Sequence, residues 1–336
     1  MPKINPCFHR KIKKIKECDE VSKYSNNNFL WRVKVVLNDG QEKILWVKQA
    51  RKYNKRALSL GKKKIVDPLR ICGEIKMIQL LQKIWGKEFV PEIYYFNTRY
   101  CLAVMSDVGA GGKLLIEEFG KGKIHPELGG FFGRLFGTLH GTTYGQKIDY
   151  CSSEKWRRQL YNFFDKHLGI GIRKFVSAKK VNLFYAKAKK ATPAMIWADP
   201  VYRNIFVKKN GKVSMVDFDL AIAYDPAFDV GIFLAHWVWM GLKNKKLNIQ
   251  SGKFIRDYWH AYLKQLKKNP KIDRTKLREI KERAMKWLGI YLVSRTDGKS
   301  GSYFKQWPKW EKKLRELGID LFMGNSSKEA EQLIIY

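Results

Sequence analysis

The chain has 336 residues, 45% of them hydrophobic, enough to build a buried core and to exclude a disordered chain. Its 66 Lys and Arg against 31 Asp and Glu leave a net charge of +35, spread along the whole sequence; this reads as a solvated basic surface that draws in polyanions (ATP, an anionic substrate, RNA, a membrane surface) more than as a dedicated nucleic-acid face. Five cysteines without a Cys-x-x-Cys pair exclude a zinc ribbon or disulfide scaffold and fit a reduced, cytoplasmic protein, while the longest apolar candidate, Val230 to Leu242, is too short for a membrane span and no secretory leader is evident.

Residues 1–20 are basic and weakly patterned, and are expected to form a short helix or arm. Ser25-Asn26-Asn27-Asn28 follows. Asn tolerates the left-handed conformation, so this stretch can form a tight loop over phosphates, or a plain turn. Trp31 to Gln49 predicts a hairpin around Asn38-Asp39-Gly40, with Trp31, Val33, Val35 and Leu37 on one face. A two-residue Asp39-Gly40 loop would set Lys48 opposite Trp31. Lys48 is a lone lysine in the apolar run Ile44 to Lys48: a solvated edge residue or a functional one. Asp67-Pro68 opens a helix as N-cap and first-turn proline. Ile71, Ile75, Ile78 and Leu81 form its apolar stripe, with Glu74 beside it.

Tyr100 to Met105 predicts a strand, left through Ser106-Asp107-Val108-Gly109. Gly129 to His140 predicts a helix in which Gly133 and Gly137 permit close packing; His140 reads as structural. Residues 152–190 read as two basic, aromatic-rich helices. After residue 225, Asp225 and Pro226 start another helix, with Asp229 in its first turn where a negative charge suits the dipole. Leu277, Ile280, Ala284, Trp287 and Tyr291 have the spacing of a core-facing helix. It leads into a polar loop, Arg295 to Ser302, and the chain ends in a polar tail from Ser326 that finishes Leu333-Ile334-Ile335-Tyr336. There is no internal repeat.

The chemistry concentrates between Trp197 and Leu220. Asp199 and Asn204 stand five apart, followed by two short apolar runs joined by Asn210-Gly211, a strong hairpin signal of type I′. With those two residues as the loop, Asn204 would face Asp217 across the hairpin. An amide oxygen beside a carboxylate, completed by phosphate oxygens, is a way to hold Mg²⁺. A catalytic Asp, a metal Asn and a metal Asp in this order is the layout of a kinase catalytic core.

This segment resembles the aminoglycoside phosphotransferase family of small-molecule kinases. Asp225-Pro226-Ala227-Phe228-Asp229-Val230-Gly231 is close to that family's Asp-Pro-x-x-Asp-Leu-Ala, while Trp197-Ala198-Asp199 replaces its usual His-Gly-Asp. The first third of the chain is also similar to methylthioribose kinases in Val47-Lys48-Gln49-Ala50, Tyr53, Asp67, Arg70 and Glu74. The resemblance implies an α+β, bilobal protein-kinase-like fold. Residues 1–105 would be a nucleotide-binding lobe with a small antiparallel sheet, and 106–336 a mainly helical catalytic and substrate lobe.

It further implies transfer of the γ-phosphoryl group of ATP to a hydroxyl of a small molecule, with Mg²⁺. Asp199 would be catalytic, and Asn204 and Asp217 would hold the metal. Lys48, oriented by Glu74, would bind the nucleotide phosphates. Ser25 and Asn27 would approach those phosphates, and the backbone near Met105 and Asp107 the adenine edge. Asp219 replaces a protein kinase's glycine, where a carboxylate could assist a second metal or the acceptor; it and Arg295 are candidates for the acceptor side. Two alternatives stand beside this reading: an RNA or other polyanionic acceptor, and a non-catalytic module on the same fold.

Overall fold

The computed structural model describes residues 11–21, 25, 27–59, 61, 65–147, 154–242, 245–298 and 308–325. Asn26, most of the loop after Asp297 and the C-terminal tail, including Leu333 to Tyr336, lie outside the described residues. The chain divides into two compact units. One draws on 1–112, 149–158 and 206–220, the other on 113–148, 159–205 and 221–336.

The first unit is built on a five-stranded antiparallel sheet. Its strands are β1 (Ile12–Glu20), β2 (Asn28–Leu37), β3 (Glu42–Ala50), β4 (Ile93–Asn97) and β5 (Leu102–Ser106), in the order β1-β2-β3-β5-β4. Val33, Val35, Leu37, Leu45 and Tyr94 bury together against it, and Trp31 and Val47 pack on them. Where a short helix or arm was expected at the start of the chain, β1 adds to β2 as an edge strand. It was illegible because strand addition uses backbone N–H and C=O groups, and the side chains of β1 are almost all exposed. Lysines along such an edge discourage pairing with another chain.

Both predicted hairpins form, each with a turn one residue longer than expected. In the first, Leu37 N–H donates to Gln41 O at 2.8 Å and Gly40 N–H to Leu37 O at 3.0 Å, with Gly40 at φ +84°. In the second, Lys208 N–H donates to Lys212 O at 2.8 Å and Gly211 N–H to Lys208 O at 2.9 Å, with Gly211 at φ +75°. These are three-residue loops closed by a left-handed glycine. A type I′ turn needs positive φ at Asn210 as well, and Asn210 does not have it. Asp39 Oδ1 instead accepts from Gln41 N–H at 2.9 Å, and Asn210 Oδ1 from Lys212 N–H at 3.1 Å. The central side chain thus satisfies the turn's own backbone and holds the longer loop. The registers move by one residue. Lys48 pairs with Leu30 rather than Trp31, and Asn204 is not the partner of Asp217.

The predicted helix after Asp67 begins later, at Arg70–Ile84. Asp67 Oδ1 caps Leu69 N–H at 3.0 Å, within a preliminary turn in which Arg70 N–H bonds to Asp67 O. Ile71, Ile75, Ile78 and Leu81 are buried as the stripe predicted.

The second unit is mainly helical. Leu128–Thr143 lies against Lys245–Leu266 at close range. A Cβ at Gly133 would come 2.2 Å from Tyr258 O, and one at Gly137 2.8 Å from Tyr262 O, so larger residues would force these helices apart. The buried helix Pro226–Gly241 is capped by Asp225, whose carboxylate accepts from Ala227 N–H at 3.1 Å. Arg283 and Trp287 also donate to Asp225. Arg274–Thr296 buries Leu277, Ile280, Ala284, Trp287 and Tyr291 as expected. The span read as two helices is more broken, with α-helices Glu154–Asn162 and Ala178–Lys190 separated by a π-helical turn, Phe163–Leu168, and a short α-turn, Gly169–Ile172. Among the described residues, no helix is long and apolar enough to cross a membrane.

Candidate active site

In the first unit the polar centre is Lys48. The pleat of β3 sends Leu45 and Val47 to the apolar face and Lys48 to the other. There its Nζ donates to Glu74 Oε1 at 2.8 Å and to Asp217 Oδ1 at 2.7 Å. Burial opposes the ammonium charge, but the Asp217 and Glu74 carboxylates outweigh it and raise its pKa above the ordinary lysine value. Glu74 is 2% exposed and its Oε2 has no hydrogen-bond partner. Burial pushes its carboxyl up to about 7, against the pull of Lys48. Its Oε1 also accepts Phe218 N–H at 3.2 Å, which ties the segment following Asp217 to the Arg70–Ile84 helix.

Asp217 stands past the end of its strand with φ +67°. An aspartate tolerates this left-handed conformation better than most residues. Its side chain is 42% exposed, so its carboxylate reaches solvent where that of Glu74 does not.

Two residues on, Asp219 enters a buried network. Its Oδ2 accepts from Asn28 Nδ2 at 3.2 Å and lies 3.5 Å from Arg70 Nε. The Arg70 guanidinium further donates to Asn28 Oδ1 at 2.8 Å, Arg51 O at 3.2 Å, Asp67 O at 3.0 Å and Asn27 O. Asn27 Oδ1 accepts from Asn54 Nδ2 at 2.8 Å, and Ser25 Oγ accepts Asn28 N–H at 3.1 Å. The Ser25–Asn28 loop is therefore pinned from below by Arg70 and Asp219. Met105 is buried within β5, paired with Trp46. Asp107 follows at the strand exit, its carbonyl accepting Ala110 N–H at 3.4 Å.

The second unit carries Asp199 on a short loop. Val201 N–H bonds to Asp199 O at 2.8 Å, and a 3₁₀ turn, Tyr202–Asn204, brings Asn204 back onto it. Asn204 Nδ2 donates to both the carbonyl and Oδ2 of Asp199 at 3.1 Å. With its NH₂ committed there, Asn204 Oδ1 is the atom suited to a cation. The loop is fixed from beneath by Asp229, which accepts Trp197 N–H at 2.6 Å and Ala198 N–H at 2.8 Å. His140 Nε2 lies 3.4 Å from Asp229, and its Nδ1 2.9 Å from Tyr262 OH.

Two departures from the resembled motif now have physical readings. Ala198 holds φ +66°, where glycine is the easier residue. Trp197 is fully buried and stacks on Phe136 at 6.3 Å, so it fills core space while its backbone N–H does the anchoring. The position of Asp229 at a helix start gave no sign of this second duty.

Beside Asp199 opens a solvent-connected recess within the same unit. Arg203 ion-pairs with Asp199 at 3.7 Å on its rim. Arg295 lies across the ring of Tyr291, 4.5 Å from its centroid, and donates to the Tyr291 hydroxyl. This aromatic lining was not foreseen; its residues come from three separated segments with no shared motif.

The donor set also bears on a metal. Among the described residues, no three His, Cys, Asp or Glu side chains converge as a cage. A cation at Asp217 or Asn204 would take most of its ligands from phosphate and water, a habit of Mg²⁺.

The family model described as "Phosphotransferase enzyme family" (APH) matches residues 76–280. Similar solved structures include an aminoglycoside phosphotransferase from Alicyclobacillus acidocaldarius, at 13% identity and TM-score 0.48, covering 99% of this chain and 97% of that one. An ethanolamine kinase from Plasmodium vivax is similar at 11% identity and TM-score 0.47, covering 96% and 83%. A choline kinase from Streptococcus pneumoniae is similar at 11% identity and TM-score 0.45, covering 93% and 95%. No curated protein matches in sequence.

Proposed function

The chain belongs to the phosphotransferase enzyme family, and from that premise we propose that it moves the γ-phosphoryl group of ATP to a hydroxyl of a sugar, amino sugar or related alcohol. The observation that carries the proposal is Lys48, whose ammonium is buried between Glu74 at 2.8 Å and Asp217 at 2.7 Å. A buried cation costs several kcal/mol (~3–5) when left unpaired. Fixed by two carboxylates, it is a positioned charge to which phosphate oxygens add naturally.

Each residue then has a task. Lys48, oriented by Glu74, binds nucleotide phosphate. Asp217 and Asn204 Oδ1 are the proposed Mg²⁺ ligands. Mg²⁺ held by these residues would neutralise charge on the phosphates. Asp199 orients the acceptor hydroxyl and takes its proton as the new O–P bond forms and the bond to the ADP oxygen breaks. Asn204 Nδ2 and the backbone anchor from Asp229 hold that carboxylate in place. Ser25 and Asn27 lie on the pinned loop proposed to approach the phosphates, and the backbone of Met105 and Asp107 is proposed to meet the adenine. The site relies on positioning and electrostatics, with no covalent intermediate.

Calorimetric titration with MgATP and steady-state turnover test this together. Asp217→Ala should abolish Mg²⁺-dependent nucleotide binding, and Asn204→Ala should weaken it less. Asp199→Asn should keep nucleotide binding and lose at least about 100-fold in kcat. Wild-type turnover in Asp199→Asn would refute the assignment of the base, and wild-type MgATP affinity in both metal-ligand variants would refute the metal assignment.

A further inference from the structure

We propose that the acceptor of the phosphoryl group is itself an anion, a small polyol carrying a phosphate or carboxylate, whose charge is held by Arg203 and Arg295 in the recess beside Asp199. The inference rests on the reading of Asp199 as the base and adds the charge class of what it acts on.

The walls of the recess include Tyr202, Trp239, Tyr291 and His236, with Arg203 and Arg295 supplying its charge; none of its lining residues is an Asp or Glu. The aromatic groups are mutually braced. Tyr202 meets His236 edge-on at 4.4 Å and lies 6.1 Å from Trp239, and His236 lies 5.3 Å from Tyr291. Such walls favour the carbon face of a sugar or polyol. Arg295 is oriented by Tyr291, both through its hydroxyl and across its ring. A guanidinium fixed in this way presents a planar fork matched to phosphate or carboxylate oxygens.

His236 adds no further charge. Burial first, then Arg295 and Arg203, hold its pKa well below the ordinary histidine value. Asp199 lies 3.7 Å from Arg203. A cationic acceptor would meet two guanidinium groups there, whereas an anionic one would be attracted. The overall charge of +35 acts in the same sense at longer range.

The test uses matched acceptors: glucose, glucose 6-phosphate, glucuronate, glucosamine and choline. ADP release is measured with each in the presence of MgATP, and binding of each is measured by calorimetry in the absence of nucleotide. The expected result is turnover with, and binding of, the anionic members, at least tenfold above glucose. Glucose 6-phosphate against glucuronate separates a phosphate from a carboxylate anion. Arg203→Gln, a half-exposed position that a folded protein tolerates, should erase at least tenfold of that preference. Arg295→Lys should do the same by losing the fork while keeping the charge.

Preference for glucosamine, choline or glucose would overturn the inference and leave the kinase reading standing. Equal binding of charged and neutral members, or an anion preference untouched by Arg203→Gln, would overturn it as well. Failure of the kinase reading has a different signature: no acceptor-dependent ADP release, with anion binding at Arg203 retained.

Discussion

Asp229 accepts the backbone N–H of Ala198 at 2.8 Å, across 31 residues of sequence. The same carboxylate takes Trp197 N–H at 2.6 Å and is completely buried. A buried carboxylate with two backbone donors fixes the path of the chain immediately before Asp199. Asp229→Ala would leave both N–H groups unsatisfied, at about 1–3 kcal/mol each. The expected outcome is a loss of roughly 2–5 kcal/mol in urea unfolding, together with a fall of at least tenfold in kcat. Asp229→Asn keeps one oxygen acceptor and should sit between this variant and the parent. A normal kcat in Asp229→Ala would show that the Asp199 loop holds its shape unaided.

Lys48 and Glu74 should behave as one unit. Lys48→Met strands the buried Glu74 carboxylate, and Glu74→Gln removes one of two anions from the ammonium. Their separate losses in kcat/KM should therefore exceed what the double variant shows, with a coupling of about 0.5–3 kcal/mol. Asp217 is the third member of the group, and its presence makes Glu74→Gln the milder single change. Strict additivity in the double-mutant cycle would mean that the 2.8 Å contact does not persist in the working enzyme.

Ala198→Gly tests the left-handed backbone at φ +66°. An L-residue in that conformation costs about 1–2 kcal/mol. Glycine relieves this but gives back roughly 0.5–1 kcal/mol of chain entropy and loses the contacts of one buried methyl group. Thermal unfolding should show stability equal to the parent or higher by up to about 1 kcal/mol. A clear loss of stability would mean that the methyl group packs better than its backbone is strained.

His236 gives a pH signature. Its folded pKa is lowered well below 6.5 by burial, Arg295 and Arg203, and Tyr291 and Tyr202 face it as well. Below about pH 6.5 the unfolded chain takes up a proton that the folded protein refuses, so stability should fall as pH drops through that region, by up to ~1.4 kcal/mol per pH unit. Above pH 6.5 this group contributes no slope. Urea titrations at pH 7.5, 6.5 and 5.5 should show a shallower decline for His236→Gln than for the parent. Parallel curves would place the proton elsewhere.

The pair Lys48 and Glu74 was readable because each is out of character with its surroundings: a lone lysine in an apolar strand, and the only acid in a helix interior. That Asp199 and Asn204 come together was readable by order and spacing. Register was not. Asn38-Asp39-Gly40 and Lys209-Asn210-Gly211 fit either a two- or a three-residue loop, and the choice falls to side-chain bonds such as Asn210 Oδ1 to Lys212 N–H. Position on a helix could not reveal Asp229 as an anchor either, since its partners at 197 and 198 approach only in the folded chain. Likewise, nothing local marks Asp219 as the partner of Asn28 and Arg70, and the edge strand β1 left no side-chain pattern at all.

The discontinuity of the first unit has a consequence for biosynthesis. Lys48 and Asp217 are 169 residues apart, and at about 5–20 residues per second the ribosome needs roughly 10–30 s to make the chain between them. Until Asp217 and Asp219 have been made, Lys48 lacks one of its two carboxylate partners, and Arg70 and Asn28 lack Asp219. The N-terminal segment therefore emerges as an unfinished body, closed only when residues 206–220 arrive after much of the second unit's sequence has been made. A truncation ending near residue 112 would lack those two carboxylates and the second hairpin, and would be a poor vehicle for studying nucleotide binding in isolation.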